Sequence, residues 1–377
     1  MRVIPHPVRP VPTPRRLLAA ASAAALLLAG CGLSSPAATE RSGGADGGTA
    51  APRLADVTPL ADPRDWTGAT SAVVADETVD PVAEPAPELP VTVTDAQGTS
   101  VTVEDASRVL ALDVHGTLAR TVFELGLGDR VVGRDISTQF DEAADLPLVT
   151  QNGHDLAAEA ILELDPTVIL TDTSLGPWNV VLQMRDAGIP VVVVDGHRGL
   201  DNVAELTTQV ATALGVPDAG KALVERTAAE VAEVRGALAD VVPAEETDRL
   251  RTLFLYVRGQ SGVYYLFGED SGADGLIDAL GLYDVAEEIG WDGMKPVTDE
   301  AIVAAQPDLV LMMSGGLDSV DGVAGLLERL PALANTPAGE HERFVDMEDS
   351  QILGFGPQTA EVLNALAVAV YAPGSVS

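Results

Sequence analysis

Glu159-Ala160-Ile161-Leu162-Glu163-Leu164-Asp165-Pro166-Thr167-Val168-Ile169-Leu170 returns near the other end of the chain as Glu300-Ala301-Ile302-Val303-Ala304-Ala305-Gln306-Pro307-Asp308-Leu309-Val310-Leu311. In both copies the proline lies seven residues after the glutamate. Proline lacks a backbone N–H and pushes the residue before it out of the helical region, so each stretch reads as a helix that closes and gives way to an apolar strand. Leu125-Gly126-Leu127 and Leu280-Gly281-Leu282 form a second, looser pair, one ahead of each copy. A helix–strand unit that occurs once in each half predicts two lobes of one class.

The flanking sequence agrees. Val109-Leu110-Ala111, Val131-Val132-Gly133, Val168-Ile169-Leu170 and Val191 to Val194 alternate with helical patterns, and the alternation resumes in Leu253 to Val257, Gly275 to Leu280, Leu309 to Met313 and Phe344-Val345. Such alternation predicts parallel sheets flanked by helices. Between the halves, Pro217 opens a long helical pattern from Asp218 to Val241, with Ala222, Leu223, Val231, Val234 and Leu238 at helical spacings. At 1.5 Å per residue it would reach roughly 36 Å, enough to run along two small domains and to restrict hinging between them. The expected architecture is α/β: two Rossmann-like lobes, 89–216 and 244–377, joined by a connecting helix over 217–243.

The N-terminus reads differently. Arg2, Arg9, Arg15 and Arg16 precede an uncharged apolar run from Leu17 to Ala29, the layout of an export signal over 1–30. The run is too short for a membrane span, which needs roughly 20 apolar residues. Leu28-Ala29-Gly30-Cys31 resembles a bacterial lipobox, which implies cleavage before Cys31, a diacylglyceryl group on its thiol, and an extracytoplasmic protein anchored to the outer face of the cell membrane. A buried or free thiol is the alternative. Cys31 is the single cysteine, so neither a disulfide framework nor a CxxC metal site is available. Residues 31–88 are rich in Ala, Pro, Gly, Thr, Asp and Glu with no sustained period, and read as a lipidated cysteine followed by a disordered tether, with Trp66 its main oddity.

Formal net charge is −35, and loss of residues 1–30, with four arginines and no acids, takes it to −39. A chain this acidic repels a phosphate backbone, so nucleic acid is excluded as a partner. No HExxH, GxSxG or P-loop pattern occurs, and no nucleophile stands beside a base, so no enzyme is expected. Five histidines are present, and His6 goes with the signal, which leaves His115, His154, His197 and His341.

His154 lies in Thr150-Gln151-Asn152-Gly153-His154-Asp155, a polar turn just before the helix that carries Glu159. Turn residues raised on a scaffold are common binding elements and imidazole is the most frequent neutral metal ligand, although a capping or surface histidine fits the same pattern. In Leu253-Phe254-Leu255-Tyr256-Val257-Arg258-Gly259 a period of two puts Phe254, Tyr256 and Arg258 on one strand face. A neighbouring cation favours phenolate over phenol, the form in which tyrosine binds a hard ferric ion. A core tyrosine beside an edge arginine is the plainer reading.

Residues 89–373 resemble the substrate-binding proteins of cobalamin, siderophore and haem importers, and among them the haem-binding HmuT-type branch. The stretches that carry the resemblance are Gln151 to Asp155, Leu170-Thr171-Asp172 with Gly176-Pro177-Trp178, Leu255 to Gly259, and Ser271-Gly272-Ala273-Asp274. It implies ferric haem as the transported ligand, His154 and Tyr256 as axial iron ligands, and Arg258 hydrogen-bonded to the tyrosine. Trp178, Phe254, Met294 and Met313 are candidate pocket walls; some relatives carry a tyrosine where Met294 falls. The resemblance further implies an ABC permease with its ATPase as partner, docked through Glu159 and Glu300, although an acid favoured near a helix N-terminus explains either glutamate. Haem-carrying proteins are further partners, and a monomer is expected. Rival readings are a ferric siderophore or cobalamin as cargo, a free metal ion, which wants about four protein ligands, and a surface scaffold or adhesion lipoprotein.

Overall fold

The structure is a computed structural model that describes residues 49–376; the expected export signal, Cys31 and residues 32–48 lie outside the described residues. Residues 49–88, expected as disordered tether, are ordered and form an arm along the folded body. Its strand β1 (Thr70–Ala72) runs parallel to the C-lobe strand Phe344–Met347, in the register Thr70↔Val345 to Ala72↔Met347. Leu54 is buried in the C-lobe core, and the arm exchanges hydrogen bonds with one amide: Leu54 N–H donates to Asn364 Oδ1 and Asn364 Nδ2 to the Pro52 carbonyl, both at 2.9 Å. Farther on, the Arg120 guanidinium donates to the carbonyls of Glu77 (2.6 Å) and Thr78 (2.9 Å), and Val79, Val82 and Leu89 pack on the N-lobe core. Gly126 (φ 83°) lies so close beneath the arm that a Cβ there would meet the Ala83 carbonyl. Composition missed this order because it rests on backbone pairing and isolated apolar contacts, not on an amphipathic period.

The N lobe opens with a hairpin of β2 (Val91–Thr94) and β3 (Ser100–Val103). Its core is a parallel sheet of β4 (Val109–Leu112), β7 (Val168–Thr171) and β8 (Val191–Val193) in the order β4-β7-β8. All eleven of these strand residues are buried, which is why they read as continuous apolar runs instead of alternating ones. The Val131 run, expected as a strand, makes only a single bridge to Val109. Helices α1 (Thr117–Val122), α2 (Ala158–Glu163), α3 (Trp178–Asp186) and α4 (Val203–Ala213) flank the sheet, and a two-residue pair, β5 (Thr150–Gln151) with β6 (Asp155–Leu156), projects from it.

Helix α5 (Pro217–Ala239) follows, about 35 Å long at 1.5 Å per residue, with Leu223 in the N-lobe core and Leu238 in the C-lobe core. The C-lobe sheet contains β9 (Arg251–Arg258), β10 (Val263–Phe267), β11 (Tyr283–Asp284), β12 (Met294–Pro296), β13 (Leu309–Met313) and β14 (Phe344–Met347), in the order β1-β14-β13-β9-β10-β12 with β11 beside the start of β9. Helices α6 (Ala273–Ala279), α7 (Val285–Glu288), α8 (Asp299–Ala305), α9 (Ser314–Asp318), α10 (Gly322–Arg329) and α11 (Pro337–Glu340) connect the strands. The last helix, α12 (Thr359–Tyr371), is buried along eleven of its residues and packs against β1, β14 and α5. The duplicated stretches are α2 with β7 and α8 with β13, and Gly126 and Gly281 hold left-handed φ values of 83° and 70° at equivalent helix ends. Among the described residues no helix is long and apolar enough to cross a membrane.

If the arm is part of the folded body, Leu54→Ala removes a core side chain and should cost about 2–4 kcal/mol. Denaturant unfolding of wild type and variant measures it; a change under about 0.5 kcal/mol would return the arm to a loosely attached tail.

Candidate functional site

In open α/β sheets the loops beyond the carboxyl ends of parallel strands form the binding crevice. Here β4 leads into Asp113, β7 into Asp172, and β8 into Asp195 and Arg198. The Arg198 guanidinium gathers all three loops: Nη2 donates to Asp113 Oδ2 (3.1 Å) and Asp172 Oδ2 (2.7 Å), and Nη1 to the Asp195 carbonyl (2.8 Å). Asp113 Oδ1 also accepts from the Leu118 N–H, which fixes the start of α1, and Asp135 Oδ2 accepts from the Asp113 N–H. Both acids and Arg198 are almost wholly withdrawn from water. Burial and the charge of Asp113 push the carboxyl of Asp172 up, while Arg198 and Ser174 hold it down.

The lobes meet at this floor. Thr117 Oγ1 donates to the Gly354 carbonyl at 3.1 Å, and Gly272 (φ 85°) backs onto the Arg198 carbonyl, 3.0 Å from where a Cβ would stand. His115, just beyond β4, lies within the field of Arg198. Burial pushes its imidazole down to about 4, Arg198 and His154 add to the effect, and Asp172 opposes it. His115 is therefore neutral throughout the physiological range.

His154 stands in the tight turn between β5 and β6, whose pairing Gln151↔Asp155 leaves Asn152, Gly153 and His154 as the connection. Asn152 (φ 49°) and Gly153 (φ 91°) take the left-handed conformation that Asn-Gly supplies cheaply. The Leu156 N–H bonds to the Gly176 carbonyl and the Ala157 N–H to the Val149 carbonyl, so the turn is braced on two sides. The ring of His154 is exposed, yet partial withdrawal from water, then the charge of Arg258, hold it below the usual histidine range, with Asp349 opposing. An N-lobe imidazole and two C-lobe charges thus share one electrostatic environment.

On the C-lobe side, β9 pairs antiparallel with β10 in the register Phe254↔Phe267, Tyr256↔Tyr265. Phe267 stacks on Phe254 (5.2 Å between centroids) and on Tyr256 (5.6 Å), so the half-buried phenol rests on an aromatic base. The Arg258 guanidinium lies over the Tyr256 ring, 4.5 Å from its centroid, and is held by the Val257 carbonyl (2.9 Å) and Asp349 Oδ2 (2.7 Å). The hydrogen bond expected between Arg258 and Tyr256 is replaced by a stack over the ring, the guanidinium donating to the Val257 carbonyl and Asp349 instead.

Two expected wall residues are core instead. Phe254 is 0% and Met313 8% exposed, because β9 and β13 lie side by side in the middle of the sheet and one face is covered by the cluster that includes α12. Met294, on the edge strand β12, is 60% exposed, and Trp178 is half-buried at the start of α3 with Arg185 over its ring at 5.9 Å. Glu159 and Glu300 are both exposed, each the second residue of its helix. One turn on, Leu162 (39%) and Val303 (54%) are among the few large apolar side chains left in solvent. His197 pairs with Asp201 at 3.2 Å and His341 ends α11. The sequence reading missed His115, Arg198 and the acids around it; an aspartate directly after an apolar run, as in Leu112-Asp113 and Thr171-Asp172, was the available signal.

Comparison with known proteins places these features in a family. The family model for periplasmic binding proteins matches residues 114–350. Among solved structures, the haem-binding protein HmuT is 40% identical with a TM-score of 0.77, covering 82% of this chain and 99% of that one. HmuT has also been solved with a histidine, with a tyrosine, and with the arginine two positions after that tyrosine each replaced by alanine. The periplasmic haem-binding protein RhuT from Roseiflexus sp. RS-1 is 35% identical with a TM-score of 0.65, covering 71% of this chain and 99% of that one. A cobalamin-binding protein of Halobacterium salinarum is 27% identical over 293 residues, 77% of this chain and 76% of that protein.

The depressed titration of His115 makes stability depend on pH. Its folded value lies below the unfolded one, so the contribution is intact above the unfolded value near 6.5 and drains away as pH falls toward about 4. At pH 5 the loss should be roughly 2 kcal/mol. Asp135 and Asp172, raised by burial, act in the opposite sense, so the difference between wild type and His115→Gln isolates the histidine. Denaturant titrations at pH 7 and pH 5 should show the gap between the two proteins closing at the lower pH; a gap independent of pH would contradict the assignment.

Proposed function

Because the chain belongs to the periplasmic binding protein family, we propose that it captures ferric haem in the cleft between its lobes and delivers it to an ABC import permease. What supports this reading is an imidazole on one lobe, His154, held below the usual histidine range by partial burial and by Arg258 of the other lobe, whose guanidinium is stacked over the Tyr256 phenol. His154 and Tyr256 are the axial iron ligands and Arg258 supports the tyrosine. Anionic tyrosinate with neutral imidazole favours Fe(III).

Two further facts support it. HmuT and RhuT are described as haem-binding, and the residue types replaced in HmuT, including a tyrosine and an arginine two positions apart, are those of Tyr256 and Arg258. Among the described residues no group of three or more His, Cys, Asp or Glu is placed to hold a bare metal ion. The cobalamin-binding relative keeps a corrinoid as the second candidate cargo. Trp178 and Met294 are the remaining candidates for the pocket wall.

In this reading Glu159 and Glu300 dock the two halves of the permease, each with an apolar neighbour one turn on, Leu162 and Val303, so that a duplicated surface meets a two-fold partner. Cys31, outside the described residues, carries the lipid anchor that keeps a monomer at the outer face of the membrane.

Titrating the purified protein with hemin should shift the Soret band and saturate. His154→Ala and Tyr256→Ala should each change the spectrum, and Arg258→Ala should weaken binding about 10–100-fold. Saturation with cobalamin and none with hemin would transfer the assignment to the corrinoid. In cells, E159A/E300A should lower haem uptake well below wild type while hemin affinity in solution stays unchanged; normal uptake would remove the glutamates from docking.

A further inference from the structure

Arg258 does not hold its place over Tyr256 unaided. Its Nη2 donates to Asp349 Oδ2 at 2.7 Å, and the other oxygen of that carboxylate accepts the Gly315 N–H at 2.8 Å. Asp349 lies two residues beyond β14, Gly315 is the second residue after β13, and Arg258 ends β9. Three neighbouring strands of the sheet therefore contribute one member each, at their carboxyl ends. The fit is close: a Cβ on Gly315 would stand 3.0 to 3.3 Å from the carboxylate atoms of Asp349. The pair is about a third exposed, at 33% for Arg258 and 30% for Asp349, and His154 lies within the field of both.

A long arginine side chain near a cleft rim has several rotamers of similar energy, and a single bond to its own strand's carbonyl leaves the guanidinium free to swing off the ring. The bond to Asp349 adds a second, charge-assisted attachment from another strand, which selects the stacked rotamer. We propose that Asp349 is a positioning residue for the cargo site, holding the Arg258 guanidinium over Tyr256 so that the phenol is presented to the iron in one geometry. This rests on the haem reading above. Asp349 acts on the phenol through Arg258, and that dependence is measurable.

The test is hemin titration of wild type, D349A, D349E, R258A and D349A/R258A, following affinity and the visible spectrum of the bound haem. D349A should weaken binding about tenfold and move the visible bands in the same direction as R258A. Adding D349A to R258A should change little further, since the group it positions is gone. D349E should restore most of the wild-type spectrum. Thermal unfolding checks that D349A is folded, and D349N, which keeps an acceptor oxygen, should fall between alanine and wild type. A D349A spectrum and affinity equal to wild type would overturn the proposal, as would effects of D349A and R258A that add in full. If wild type itself gives no shifted Soret band, the haem reading fails, an outcome distinct from a wild-type shift that D349A leaves intact.

Discussion

The guanidinium of Arg198 is the interaction on which the cleft floor depends. It is buried, it faces two buried carboxylates, and it reaches the carbonyls of Asp195 and His197, so loops that follow three different strands are tied to one planar group. A buried ionic cluster adds little net stability compared with apolar packing, yet removing one member leaves charges uncompensated at a cost of about 3–5 kcal/mol. Its contribution is geometric. With the loops fixed, His115 and the start of α1 are fixed, and through the Arg198 carbonyl and Gly272 the floor abuts the second lobe.

The two halves of the proposed site are then positioned by different means. His154 is carried on a tight turn braced by backbone bonds, while Tyr256 rests on stacked aromatic rings within a hydrogen-bonded sheet. Neither depends on a long mobile loop. Helix α5 enters both cores, and the arm touches both lobes, so two links join them. A cleft framed in this way is largely formed before ligand arrives, which keeps the ordering cost of binding small.

Much of the architecture was legible in the chain. Val168-Ile169-Leu170 and Leu309 to Met313 announce buried parallel strands, the prolines before them mark the helix ends, and Pro217 marks the start of the connecting helix. The Asn152-Gly153 pair signals the turn that raises His154. Other features were not legible, for identifiable reasons. Strand periodicity puts Phe254 and Tyr256 on one face but does not say where α12 covers that face, so Phe254 looked like a wall residue. The bond between Arg258 and Asp349 spans 91 positions, and no local pattern announces it. The arm misled for a similar reason: its order comes from pairing with β14 and from arginine side chains on its carbonyls, partners supplied by distant sequence.

The pairing of β1 with β14 has a consequence for the order in which the molecule assembles. Thr70 and Val345 are 275 positions apart, so the first strand of the described residues finds its partner only after both lobes have been largely made. Until then the arm has no sheet edge to join. Contacts of such high sequence separation form late and slow folding. Once β14 has formed, its open edge is available to another chain until the arm docks. The arm is thus also the element that covers the β14 edge, and a truncated chain beginning after Ala72 would leave that edge open permanently.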